Sequence, residues 1–167
     1  LKLALVDRRR CRHLPRTVLA WKVAAAELAV VAVLVAVAVA LGDGRFWIPA
    51  VVAAPFIAVE SWYEVRSRGR RLVPEVAGAI GVSSIAAMVL LAGGRSAALA
   101  AGAWMVLAAR VLTSIPFVRT QIFRIRGRST SVAGAIAADA SALVVAAGAV
   151  VVDDRLLTGA IAVAAVV

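Results

Sequence analysis

The chain is short of charge, aromatics, sulfur and imidazole. Of its 167 residues, 17% are charged and 5% aromatic, with one cysteine and one histidine. Soluble domains carry about 25% charged residues, so this composition argues against a water-soluble globule. A lone Cys11 excludes an internal disulfide, and with His13 as the single imidazole no Cys/His ligand spacing exists. His13 lies among arginines and reads as a solvated or headgroup-facing side chain rather than a catalytic one. Acids are scarce as well: nine Asp and Glu stand against 19 Lys and Arg, for a formal charge of +10. No nucleophile elbow, P-loop or Rossmann fingerprint occurs.

What remains is apolar. Hydrophobic residues make up 63% of the chain, and the mean hydropathy is +0.98. A disordered chain, a coiled coil and a disulfide scaffold are excluded on these numbers. Basic soluble proteins bind nucleic acid, but they do not carry this much Ala, Val and Leu. The expected fold is an all-α, polytopic transmembrane helical bundle forming a single domain over 1–167, with lipid and not nucleic acid as its surroundings. Its spans must be helices, because an open sheet cannot satisfy its backbone in lipid.

About 20 mainly apolar residues cross a bilayer. Segments 17–41, 46–63, 76–92, 96–117 and 131–152 meet that length, and 156–167 begins a sixth span that is cut short. The weakest is 46–63, which carries Pro49 and Pro55, but Trp47 at one end and Trp62 with Tyr63 at the other resemble an aromatic belt. The chain opens on Leu1 and closes inside an apolar run, which predicts a fragment of a longer protein. Gly134 with Ala138, and Gly78 with Gly81, are expected to let helices approach closely.

Positive charge predicts orientation. The segment 1–16 holds Lys2, Arg8, Arg9, Arg10, Arg12 and Arg16. Loop 64–75 holds Arg66, Arg68, Arg70 and Arg71, and loop 118–130 holds Arg119, Arg124, Arg126 and Arg128. The alternate connections carry one each: Arg45, Arg95 and Arg155. This alternation places the three basic segments in the cytoplasm and the protein in the inner membrane. The +10 is then a topology signal.

Ionisable residues inside spans are costly and are functional candidates by default. Lys22, Glu27, Arg110 and Asp139 are the four, and Lys22 is close enough to the span end to snorkel. Counted from the expected span ends, Arg110 and Asp139 fall at nearly one depth and are predicted to pair. With Ser83, Ser84, Thr113 and Ser114 they form a polar layer, read either as a cytoplasm-facing cavity for an anionic or polar headgroup or as a structural interhelical salt bridge. Glu27 joins that layer if the bundle is a carrier with an intramembrane relay.

A second constellation spans 60–75. Glu60 and Glu64 stand at i and i+4, a spacing that can present two carboxylates to Mg²⁺, with Arg68 and Arg71 beside them to clamp phosphates. The plainer reading is a basic interfacial loop in which Glu64 pairs with Arg68. The basic stretch 119–128 suits a helix end lying on an anionic leaflet, where it contacts anionic lipid headgroups.

Two stretches resemble the YwiC-like integral membrane proteins. One is Glu60 to Gly81, with its Arg-Gly-Arg-Arg-Leu-Val-Pro-Glu-Val-Ala-Gly core. The other is Ile115-Pro-Phe-Val-Arg-Thr-Gln-Ile-Phe-Arg-Ile-Arg-Gly. The family also carries an N-terminal Arg-Glu-His-Gly signature and about two further spans that this sequence does not contain. Its layout is similar to UbiA-type prenyltransferases, which implies a cytoplasm-facing site for an isoprenoid diphosphate with Mg²⁺ as cofactor. Of the first UbiA signature, only Glu60, Glu64 and the Arg70-Arg71-Leu-Val-Pro74 run echo the pattern, and the second acidic signature has no match. Three functions are therefore carried forward: a lipid- or isoprenoid-diphosphate-handling protein, a solute or proton-coupled carrier, and a structural subunit without a substrate.

Overall fold

A computed structural model describes residues 15–42, 44–66, 71–129 and 131–165. Its order is α1 (Pro15–Leu41), a 3₁₀ turn (Arg45–Trp47), α2 (Ile48–Val65), α3 (Leu72–Ala92), α4 (Ala97–Ile125), α5 (Val132–Val152), a second 3₁₀ turn (Asp154–Leu156) and α6 (Leu157–Ala164). Among the described residues every regular element is helical. Five of the helical segments are long and apolar enough to cross a membrane: Thr17–Leu41, Arg45–Val65, Leu72–Ala92, Ala97–Ile125 and Val132–Val152. The chain is a multi-pass integral membrane protein.

Local chemistry sets the helix ends. Ser96 and Ser131 cap α4 and α5, their Oγ atoms accepting from Leu99 N at 3.2 Å and Gly134 N at 3.1 Å. Each satisfies one of the orphan N–H groups of a helix start. Gly44 and Gly94 sit in the turns at positive φ, a conformation glycine adopts without penalty. Trp47, in the turn before α2, and Trp62, near its other end, are both exposed. The Arg66 guanidinium lies 3.8 Å from the Trp62 ring centre, a cation–π contact suited to a headgroup layer.

The helices pack in series: α2 on α3, α3 on α4, α4 on α5, and α6 against α5 and α4. The buried faces are made of small residues. On α3 they are Gly78, Gly81, Ser84 and Ala87; on α4, Ala100, Gly102, Ala109 and Thr113; on α5, Ala142, Ala146 and Ala149. In lipid no hydrophobic effect drives helices together, so close van der Waals approach over such residues does the work. At Gly81 a Cβ would fall 2.6 Å from Ile57 Cδ1 and 3.3 Å from Phe56 Cβ. Gly134, by contrast, is exposed, and a Cβ there would approach only Ser131 of its own turn. The close approach expected of Gly134 and Ala138 is made instead by Ala142, Ala146 and Ala149, further along α5.

A polar bond joins α4 to α3 inside the bundle. Trp104 Nε1–H on α4 donates to the Ile80 carbonyl on α3 at 2.8 Å. Trp104→Phe keeps most of the ring volume and deletes this bond. It is expected to lower stability by about 1 kcal/mol, read as an earlier unfolding midpoint in mixed micelles; an unchanged midpoint contradicts a bridging role.

Helix α1 buries only the face that carries Thr17 and Ala24. Nearly every residue from Val18 to Leu41 is exposed, and no other described helix packs along it.

Candidate functional site

A cavity of about 810 Å³ opens between α2, α3 and α4. Its apolar wall is Ala79 and Val82 of α3 with Ile115, Val118, Ile122 and Phe123 of α4. Its polar rim holds Glu60 of α2, Glu75 of α3 and Ser114, Arg119 and Arg126 of α4. An apolar cleft with a few convergent charged groups is the usual form of a ligand site.

The rim charges are not equivalent. Arg119 Nη1 donates to Glu75 Oε2 at 2.8 Å, with the two side chains 25% and 35% exposed. This ion pair ties the first turn of α3 to the last third of α4. Glu75 also lies where the unpaired N–H groups of the α3 start favour a carboxylate. The Arg119 guanidinium sits 5.6 Å from the Phe123 ring centre, so one face of it rests on the cavity wall. Glu60 packs its carboxylate directly against Gly78, in the space a Cβ would fill. It has no hydrogen bond or ion pair to any described residue. Arg126 is exposed at the C-cap of α4. The rim thus offers one compensated pair, one open carboxylate and one exposed guanidinium.

The residues expected to form the site are dispersed. Glu60 lines the cavity, but Glu64, one helical turn on, does not, and it already has an interaction of its own. Arg71 is the exposed N-cap residue of α3 and does not line the cavity, while Arg68 lies outside the described residues. Ser83 is spent on its own helix, its Oγ donating to the Ile80 carbonyl at 2.7 Å, and Ser84 is buried between helices. Thr113 is buried, donating to the Arg110 carbonyl at 2.9 Å. Glu27 is exposed on α1.

Arg110 and Asp139 do not pair among the described residues. Arg110 is exposed and donates to Thr113 Oγ1 at 3.3 Å. Asp139 lines a separate cavity of about 130 Å³ with Pro116, Phe117, Thr120, Gln121 and Arg124. The cause is the length of α4. It runs through Pro116 and on to Ile125, so the hairpin reverses two turns later than a span ending at Phe117 implies. Asp139 is therefore level with Pro116–Gln121, and Arg110 sits about two turns further into the bundle. Phase adds to the mismatch. Ala109 and Thr113 face the packed side of α4, and Arg110, 100° round from Ala109, faces away.

Glu75, Arg119 and Arg126 were not expected to line a cavity: the sequence puts Glu75 in loop 64–75 and the two arginines in a basic stretch lying on an anionic leaflet. The signal that finds them is continuation of α4 past Pro116: the apolar positions Ile115, Val118, Ile122 and Phe123 recur at helical spacing, with Arg119 on the same face.

Among the described residues the cavity does not gather a cluster of carboxylates for Mg²⁺. Among the described residues no three His, Cys, Asp or Glu side chains cluster in a way that could hold a metal ion. Glu60 and Glu64 do not line the cavity together, and Glu75 is committed to Arg119.

No curated protein and no solved structure matches the chain. A family model described as YwiC-like protein matches residues 2–91, just over half the sequence. The matched part holds α1, α2 and nearly all of α3, hence Glu60, Glu75 and Gly78; Arg119 and Arg126 lie beyond it. By this match the chain belongs to the YwiC-like protein family.

Proposed function

We propose that this membrane protein binds a phosphate-bearing amphiphile, a lipid phosphate or an isoprenoid diphosphate, in the cavity between α2, α3 and α4. The observation that carries this reading is the cavity's two-part lining. Apolar side chains of α3 and α4 would take the chain of the amphiphile, and Arg119 and Arg126 would take its phosphate. Guanidinium is suited to phosphate because its fork donates two parallel hydrogen bonds. The positive-charge alternation of the loops supports a cytoplasmic position for this rim.

A lipid phosphate is the better fit of the two. A diphosphate leaving group needs charge neutralisation that a Mg²⁺ site would supply, and the carboxylates are not arranged for one. The carrier reading is less well supported: Glu27 is exposed on α1, and Arg110 and Asp139 face different ways.

Native mass spectrometry of the purified protein tests the reading, with phosphatidic acid titrated against diacylglycerol of the same chains. The phosphatidic acid adduct should persist at collision energies that strip diacylglycerol. Equal retention of both would remove the phosphate from the proposal. A Mg²⁺-dependent preference for an isoprenyl diphosphate would instead restore the prenyltransferase-like reading.

A further inference from the structure

Two opposite charges are left facing outward in the membrane-spanning part. Glu27 is exposed on α1, which no other described helix covers. Arg110 is exposed on α4, with Thr113 of its own helix as its hydrogen-bonding partner. Near the centre of a helix, each such group costs about 3 kcal/mol on insertion scales if it faces lipid. Neither is close enough to a helix end to escape by snorkelling. Glu27 is 14 residues from Leu41, about 21 Å from the outer end of α1 by helical rise. Arg110 is 13 residues from Ala97, about 20 Å from the outer end of α4. Counted from either pair of helix ends, the two charges lie within one helical turn of the same depth. Apolar side chains flank each of them on the exposed surface: Leu28 and Val31 beside Glu27, and Leu107 and Phe117 on the Arg110 side of α4.

We infer that Glu27 of one copy pairs with Arg110 of a second copy, docking α1 of each against the exposed face of α4 of the other. Depth, sign and exposure all match. α1 and α4 run in opposite directions across the membrane, so the contact is an antiparallel helix pair. A two-fold axis along the membrane normal makes it twice, as an isologous dimer requires. The pair removes two lipid-facing charges per protomer at once, and a carboxylate–guanidinium bond across helices is the interhelical polar contact that membranes favour. This inference is independent of the cavity and of what the cavity binds.

Disulfide trapping in native membranes tests it, using the full-length protein with Cys11→Ser as background. Chains carrying Glu27→Cys alone and Arg110→Cys alone, expressed together, should form a cross-linked dimer on mild oxidation. A cross-link that forms only within one chain carrying both cysteines would show that α1 folds back on its own bundle and would overturn the inference. No cross-link in either arrangement would overturn it too. Charge exchange gives a second readout that does not depend on cysteine geometry. Glu27→Arg or Arg110→Glu should each weaken dimerisation about 10-fold or more, and the double exchange should recover it. Unaltered dimerisation in both single variants contradicts the pairing.

Discussion

Arg119→Gln is expected to lower affinity for phosphatidic acid by about 10- to 100-fold, and Glu75→Gln to raise it. The opposite signs follow from one ion pair. Arg119 is the rim guanidinium braced against the apolar wall, over Phe123, and its Nη1 is held by Glu75 at 2.8 Å. A hydrogen bond to a charged group contributes about 1.5–3 kcal/mol, and each 1.4 kcal/mol is about tenfold in affinity. Removing the guanidinium loses that contact to the phosphate. Removing the Glu75 charge frees the guanidinium from its competitor and takes negative charge away from the rim. Arg119→Lys should fall between wild type and Arg119→Gln, because an ammonium keeps the charge and loses the two-point fork. The measurement is a lipid titration in nanodiscs, with the folded fraction of each variant checked by its unfolding midpoint. If Glu75→Gln and Arg119→Gln both weaken binding equally, the pair is a clasp between α3 and α4, and its arginine does not meet the ligand.

The largest stability effect is expected at Gly81. Gly81→Ala should be tolerated at a cost of about 1 kcal/mol, and Gly81→Ile should cost about 3 kcal/mol. The difference lies in what each side chain meets. The first atom added, a Cβ, falls 2.6 and 2.9 Å from the Cδ1 and Cγ1 of Ile57, the movable end of a side chain. It also falls 3.3 Å from Phe56 Cβ, which is anchored to the α2 backbone. Isoleucine adds three more carbons in the same direction, so α2 and α3 must separate. Thermal unfolding in detergent reads the change, and Ile57→Ala in the Gly81→Ile background should recover part of it by returning volume. A Gly81→Ile protein as stable as wild type would mean that α2 and α3 do not approach through this face.

The fold was legible because membrane helices are written in long, simple units. The 17–41, 76–92 and 131–152 segments correspond closely to α1, α3 and α5, and even the proline-bearing 46–63 segment is a helix between its tryptophans. The site was less legible, and one boundary accounts for most of the difference. Pro116 and the arginines after it favour a span that stops at Phe117, yet α4 continues to Ile125. Proline is tolerated inside membrane helices because neighbouring groups re-satisfy the freed carbonyl. That extension carries Arg119 onto a helix face opposite Glu75, and it also moves Asp139 away from Arg110. Glu60 was found from sequence because a carboxylate near the end of an apolar span is conspicuous in isolation. Which way it pointed depended on Gly78 of the next helix, and a pattern within one helix cannot show that.

Sidedness is the claim on which the phosphate site rests, since a cavity rim at Arg119 and Arg126 is useful to a cytoplasmic headgroup only if that end of α4 is inside. Single cysteines at Arg95 and Arg126, each in a Cys11→Ser background, report it directly in sealed right-side-out vesicles. A membrane-impermeant maleimide should label Arg95→Cys at once and Arg126→Cys only after the vesicles are opened. The reverse pattern would place the basic rim outside and contradict the assignment.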